Sequence, residues 1–194
     1  MNNYLIDEID IISEEYKKED FSKKTIKNKS ITNTKIYDSN LTDSTYENVH
    51  FEKVEFIKCD LSNIKFVDCS FRDIKFDNCK LLGTYFTNNR INNIIINDSL
   101  SKYLNIIDTK IKELTIKESN LSESNFYNVE LQKVIIDKVD FTSTEFYRTP
   151  LKNIDFSSSI IDGIKITTDC LKGMKVNTIQ ALDLVKVLEI EIVE

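Results

Sequence analysis

The hydrophobic residues of this chain keep a five-residue clock. From Phe21 to Val176, 31 of the 32 positions spaced by five are Phe, Leu, Ile, Tyr or Val, and all 11 phenylalanines fall on them. Ser101 is the exception. A period of five matches neither a helical turn nor the alternation of a strand. It suits a chain that turns a corner every five residues and sends one large side chain inward from each side. Four sides close a coil of about 20 residues, and stacked coils pair through their backbones at about 4.8 Å per layer. The core is then a column of inward side chains in which each coil touches only its neighbours.

The other phases agree. Two residues before each inward centre the chain is small or apolar, as at Val49, Val54, Cys59, Ile64, Cys69, Ile74, Cys79 and Thr84, and no charge occurs at this phase between Thr34 and Ile164. This reads as a second, smaller inward position. Two residues after the centre, 16 of the 27 residues from Asn33 to Gly163 are Asn, Asp or Gly, the types that tolerate left-handed corners. All three glycines, Gly83, Gly163 and Gly173, share that phase. The two remaining phases are mostly polar and are expected to face water.

The tracts Cys59-Asp60-Leu61-Ser62-Asn63, Ser119-Asn120-Leu121-Ser122-Glu123 and Val139-Asp140-Phe141-Thr142-Ser143 follow an A(D/N)LXX pattern. On these residues the chain resembles the bacterial pentapeptide-repeat proteins. The resemblance implies an all-β solenoid, a right-handed quadrilateral β-helix, here of about seven coils over residues 21–176. No insertion interrupts the coils, so the chain is similar to the loop-free members. At Ser101, a local bulge that lets Leu100 or Leu104 take the core slot is the expected solution.

Both ends of a β-helix need covering, because open strand edges recruit other chains. Residues 1–20 are predicted to form an N-terminal helical cap, from the spacing of Leu5, Ile9, Ile12 and Tyr16 with Asn3 as its cap. At the other end, residues 177–194 read as a helix plus strand. Asn177-Thr178-Ile179-Gln180 looks like a capping box for a helix of about 178–188, and Glu189-Ile190-Glu191-Ile192-Val193-Glu194 alternates like an edge strand. This end is similar to the C-terminal module that makes a twofold dimer in the topoisomerase-protecting branch of the family. That makes Ile179, Leu182, Val185, Leu188, Ile190 and Ile192 the candidate interface of a homodimer.

The net charge of −6 and pI near 5.0 argue against direct nucleic-acid binding. No signal peptide and no membrane-length apolar run is visible, so the expected location is cytoplasmic. Cys59, Cys69 and Cys79 share the small inward phase and fit no zinc spacing, and read as buried thiols. His50, the one histidine, falls at an outward phase with no nucleophile or metal partner implied. No catalytic constellation, cofactor site or phosphate loop is present, so the chain is expected not to be an enzyme.

Two functions remain open. One is a protein-interaction scaffold whose partner the sequence does not name. The alternative, implied by the resemblance, is a rod-shaped DNA mimic that binds DNA gyrase or topoisomerase IV and protects it from quinolones or toxins. Seven coils would give a rod of about 34 Å. The acidic face such a mimic needs would carry Asp43, Asp60, Glu123, Asp140 and Asp162 against Lys80 and Lys102. The opposite face carries Arg72, Arg90, Lys110, Lys112, Lys133 and Lys152. Outward ladders of Ile95, Thr115 and Ile135, and of Tyr127 and Tyr147, stabilise the sheets or meet a partner.

Overall fold

The computed structural model describes residues 10–185 and 187. Every strand pair in it is parallel and offset by 20 residues, from Asp10–Ile12 on Ser30–Thr32 to Glu145–Tyr147 on Lys165–Ile166. That constant offset is the signature of a four-sided coil. The chain therefore adopts the expected right-handed quadrilateral β-helix. Its first face is centred on Ile11, Ile31 and Phe51, and its second on Tyr16, Ile36 and Phe56. These two faces share one 11-stranded sheet. The fourth, centred on Ile26, Tyr46 and Phe66, carries the 8-stranded sheet. The third, centred on Phe21, Leu41 and Leu61, is held by single bridges in register from Asp20 through Asn40, Asp60 and Lys80 to Ile160.

Eight coils form rather than seven, because the repeat begins before Phe21. Within the expected helical cap, Asp10–Ile12 and Glu15–Lys17 are strands of the first coil. Ile11 is 1% exposed and Ile12 is 60% exposed, so the inward residues are Ile11 and Tyr16, five apart. The helical spacing of Ile12 and Tyr16 was coincidental, and the second coil offers residues 10–17 a complete backbone partner. The remainder of the expected cap, residues 1–9, lies outside the described residues.

The inward phases do what the pattern requires. Phenylalanines one coil apart stack at the layer spacing: Phe51 on Phe71 at 4.9 Å, Phe56 on Phe76 at 5.1 Å, Phe66 on Phe86 at 4.9 Å and Phe126 on Phe146 at 4.8 Å. Among the described residues, every non-glycine residue with positive φ lies at the corner phase, from Ser13 to Asn153, including residues as unsuited as Tyr103 (φ 59°) and Lys133 (φ 46°). Such geometry costs roughly 1–2 kcal/mol per non-glycine residue. Stacking between coils fixes the corner and overrides local preference.

The smaller inward phase is more than a space-filler. Its hydroxyls, thiols and amides reach backbone carbonyls of the coil before. Thr84 Oγ1 donates to Leu61 O (2.7 Å), Thr144 Oγ1 to Leu121 O (2.8 Å), Asn89 Nδ2 to Phe66 O (3.0 Å) and Cys79 Sγ to Phe56 O (3.3 Å). Side-chain oxygens at this phase also accept amides one coil back: Ser124 Oγ accepts Leu104 N while donating to Ser101 O, and Asn89 Oδ1 accepts Cys69 N. These bonds satisfy backbone groups at corners that the sheets leave unpaired, which is why Ser, Thr, Cys and Asn recur there.

At Ser101 no bulge occurs. Ser101 stays in the inward slot, fully buried, and its amide donates in register to Asn120 O at 2.7 Å. Leu100 points outward, 39% exposed. Leu104 lies at the small phase, 0% exposed, where its neighbours one coil away are Thr84 and Ser124. Large and small residues have exchanged places within one repeat, so the phase is kept. The exchange leaves Ser101 Oγ without a hydrogen-bond partner among the described residues.

A second irregularity follows Pro150. On the first face the residue before each centre donates to the coil below, as His50 N does to Lys29 O, Lys110 N to Asn89 O and Glu130 N to Thr109 O. Pro150 has no N–H to give Val129 O. The chain instead takes the turn used on the third face, with Ile154 N donating to Leu151 O at 3.1 Å. Glu130–Leu131 and Val134–Asp137 consequently pair on one side only among the described residues. Leu131, Val134 and Ile136 are half-buried there, whereas Ile111, Leu114 and Ile116 one coil earlier are buried.

The C-terminal end is closed by two helices, α1 (Thr168–Leu171) and α2 (Thr178–Val185). The extra turn of α1 moves Cys170 into the small inward slot, where its Sγ accepts Thr149 N at 3.3 Å. The expected capping box opens α2: Gln180 N donates to Asn177 Oδ1 (3.0 Å) and Asn177 N to Gln180 Oε1 (2.9 Å). Gln180 Nε2 also donates to Phe156 O and Ser159 O, fastening the helix over the last coil. Leu188 and the expected strand Glu189–Glu194 lie outside the described residues.

Candidate interaction surfaces

The 20-residue register also stacks the outward side chains into ladders. Amides and carboxylates pair one coil apart, as in Asn48 Nδ2 to Asn28 Oδ1 (2.8 Å), Asn93 Nδ2 to Asp73 Oδ1 (2.8 Å) and Asn88 with Asp68. Ion pairs follow the same offset: Lys27–Glu47 (2.6 Å), Lys35–Glu55 (3.0 Å), Glu113–Lys133 (2.8 Å) and Glu118–Lys138 (3.3 Å). Exposed pairs of this kind contribute little to stability.

The five predicted acidic residues do share the third face, and most are engaged. Asp60 Oδ1 accepts Ser62 N (3.1 Å) and Ser62 Oγ (2.6 Å), and Asp140 Oδ1 accepts the matching groups of Thr142 (2.9 and 2.6 Å). Lys80 Nζ sits 3.7 Å from Asp60, and Lys102 Nζ 3.2 Å from Glu123. Asn63 Nδ2 donates to Asp43 Oδ1 at 3.2 Å. Asp162 is exposed beside Gly163, near Asp183 and Val187 at the C-terminal end. Lys80 and Lys102 divide the face into two acidic stretches, so it forms no unbroken negative track.

The first face holds a shallow groove of about 360 Å³ between two outward rows, floored by the strands of Phe71, Ile91 and Ile111. Arg72, Arg90, Lys110 and Lys112 line it on three successive coils. Arg72 is 3.8 Å from Glu52, and Lys110 is 2.7 Å from Glu130. Arg90 and Lys112 make no ion pair among the described residues. His50 stands at one mouth with Nδ1 2.8 Å from Ser70 Oγ and Nε2 3.5 Å from Glu52, so the only histidine is tied into the surface. Of the other expected basic residues on this face, Lys133 is paired and Lys152 lies beyond Pro150.

The apolar ladders stand in register. Ile95, Thr115 and Ile135 pair in sequence, with Ile135 57% exposed. Tyr127 and Tyr147 stack at 5.0 Å, with the Arg148 guanidinium 5.3 Å from the Tyr147 ring. Sequence reasoning passed over exposed Tyr85, Tyr103 and Ile160 as surface features, and offered Leu100, which is also exposed, for the core; their outward or corner phases were the available signal. On α2, Gln180 faces the rod while Ile179 (75%) and Leu182 (53%) face out. Val185 is half-buried.

The thiols lack the character of reactive groups. Burial pushes Cys59 up, Cys69 up to about 11 and Cys79 up to about 12. All three are held as neutral SH groups at physiological pH. Among the described residues no group of His, Cys, Asp and Glu side chains is arranged to hold a metal ion, and no helix is long and apolar enough to cross a membrane.

The family model for Pentapeptide repeats matches residues 35–73 in 8 copies. Among solved structures, the chain is similar to a trypsin-treated form of QnrB1, a plasmid-mediated fluoroquinolone resistance protein. The identity is 16% over 95% of this chain and 100% of that one, with a TM-score of 0.43. Full-length QnrB1 gives 15% identity over 93% and 100% of the two chains, with a TM-score of 0.31. Rfr23, a pentapeptide repeat protein from the cyanobacterium Cyanothece 51142, gives 10% over 87% and 88%, with a TM-score of 0.19. No curated protein sequence matches the chain. Residues 35–73 thus match the pentapeptide-repeat family model, and the same 20-residue strand offset continues on either side of them, from Asp10–Ile12 to Lys165–Ile166.

Proposed function

We propose that the protein is a non-enzymatic interaction scaffold that binds other proteins through the outside of its rod. The observation that carries this reading is the set of large apolar side chains left in solvent at outward and corner phases and on α2. Tyr85, Tyr103, Tyr127, Ile135, Ile179 and Leu182 are all more than a third exposed although the core has ample inward positions for such residues. Exposed aromatic and branched side chains are the usual anchors of protein interfaces. The partner is a protein, with a type II topoisomerase as one candidate, and the scaffold works in the cytoplasm. Ile179 and Leu182 on α2, with Val185 beside them, are the part of the candidate dimer interface within the described residues. A homodimer through this end is part of the proposal.

Light scattering on the purified protein tests the dimer: Leu182→Asp together with Ile179→Asp should halve the mass without changing the circular dichroism spectrum. A monomeric parent would remove that part of the reading. Capture of a partner by the native rod, lost with Tyr127→Asp and Tyr147→Asp, tests the rest.

The alternative, mimicry of DNA toward gyrase or topoisomerase IV, asks for a continuous negative surface steering a basic groove. Lys80 and Lys102 interrupt the third face, and the scaffold reading is therefore preferred. A gyrase supercoiling assay with and without a quinolone separates the two. Salt-sensitive protection would restore mimicry.

A further inference from the structure

Four cations, Arg72, Arg90, Lys110 and Lys112, line the groove on the first face against one lining carboxylate, Glu130. Arg72 and Lys110 pair with Glu52 and Glu130, and Arg90 and Lys112 make no ion pair among the described residues. On a chain of net charge −6 this is a local concentration of positive charge. We propose that the groove binds a short acidic segment of a partner protein in extended form. The proposal rests on the scaffold reading and names the chemistry of one partner.

The dimensions favour a short peptide. Arg72, Arg90 and Lys112 lie on successive coils, about 4.8 Å apart per layer. The span from Arg72 to Lys112 is thus about 10 Å, or about three residues of extended chain at roughly 3.3 Å each. Carboxylates at alternate positions of such a segment fall on one side, about 6.6 Å apart, within reach of the guanidinium groups above and below. Arg72 and Arg90 offer the planar forks that hold carboxylates bidentately.

Glu52 and Glu130 close the two ends of the basic stretch. They would repel a polyanion that continued past the groove, which argues for a peptide with two or three acids over a nucleic-acid backbone. The flat floor of strand backbone, with the side-chain rows standing on either side, admits an extended chain and not a helix.

The test uses the full-length protein and two fluorescein-labelled probes, the peptide Ser-Glu-Ser-Glu-Ser-Glu-Ser and a short DNA duplex, followed by anisotropy at low and at physiological ionic strength. The expected result is saturable binding of the peptide that weakens with salt. Arg90→Glu with Lys112→Glu should weaken it about ten-fold or more. Circular dichroism should be unchanged, and Tyr127→Asp should leave peptide binding intact. Absence of saturable peptide binding at low salt, equal binding by the double variant, or tighter binding of the duplex than of the peptide each overturns the proposal. If the scaffold reading itself is wrong, the tyrosine and α2 variants will also leave partner capture and mass unchanged. A failure confined to the groove will not show this.

Discussion

Ser101 and Leu104 form a testable pair. In the repeats one coil before and after, the centre is Leu81 or Leu121 and the small position is Thr84 or Ser124; at Ser101 and Leu104 the sizes are exchanged. If the two side chains share one volume, Ser101→Leu alone forces a second large residue into a filled layer and should destabilise by about 1–3 kcal/mol. Leu104→Thr alone empties the layer beside a serine and should cost about 2–4 kcal/mol. The double variant restores the pattern of the neighbouring coils. The threonine hydroxyl it introduces can donate to Leu81 O as Thr84 donates to Leu61 O at 2.7 Å. It should lie within about 1 kcal/mol of the parent, which requires a coupling of at least about 2 kcal/mol. Ser101→Ala removes a buried hydroxyl that has no partner among the described residues and should stabilise by about 1 kcal/mol. Urea unfolding followed by far-ultraviolet circular dichroism reads all four. Additive single effects, or a stabilised Ser101→Leu, would refute the shared volume. A destabilised Ser101→Ala would show that the hydroxyl is in fact bonded.

Phe71 packs between Phe51 and the ring edges of Phe66 and Phe86, 2% exposed, so Phe71→Ala should cost about 3–5 kcal/mol in the same unfolding experiment. Gly83 holds φ +61°, and a Cβ there would come within 2.9 Å of Asn63 Oδ1. Gly83→Ala should therefore cost about 1–2 kcal/mol, and Gly83→Asn less, because Asn tolerates that geometry and can join the corner ladder. The raised thiol pKa values make stability fall with rising pH. The unfolded chain releases its thiol protons from about 8.5, while folded Cys69 and Cys79 keep theirs to about 11 and 12. The stabilisation is full below the unfolded value and declines above it, so unfolding midpoints should drop between about pH 8.5 and 11. Cys59→Ser, Cys69→Thr and Cys79→Ser together should flatten that decline, and an unchanged slope would assign it to other groups.

The inside of this rod was legible because one rule repeats. A residue at the inward phase has no alternative place, and a slip of one position would turn Phe51, Phe56 and Phe66 outward together. The corners were legible for the same reason, down to Tyr103 in left-handed geometry. The parts misread are those where two patterns compete over a short stretch. Ile12 and Tyr16 satisfied helical spacing, yet Ile11 and Tyr16 satisfied the clock, and over residues 10–17 the clock wins once a second coil supplies strand partners. Ser101 read as a bulge because sequence shows that the large residue is missing and not that a buried leucine, Leu104, stands three positions on at the small phase. Pro150 was visible, but its consequence depends on an amide-to-carbonyl bond to Val129 that only the stacked geometry reveals.

The outside follows a weaker rule, and that is where function has room to act. Inward residues answer to volume and corner residues to φ, but an outward residue answers only to the residue 20 positions away. Opposite charges, amide pairs and stacked rings all satisfy that neighbour, so the ladder Lys35–Glu55 and the ladder Tyr127–Tyr147 are equally compatible with the fold. Selection for the fold alone therefore tends to leave each outward charge opposite a complement and large apolar groups inside. Departures from this expectation carry information about binding. Arg90 and Lys112 depart by standing with Arg72 and Lys110 in one groove, and Ile179, Leu182 and Ile135 by facing water. The acidic residues of the third face depart less, since Asp60 and Glu123 each have a lysine and Asp43 and Asp140 each have an amide. On that ground the basic groove and the apolar ladders, more than the acidic face, are where a partner of this rod should be sought.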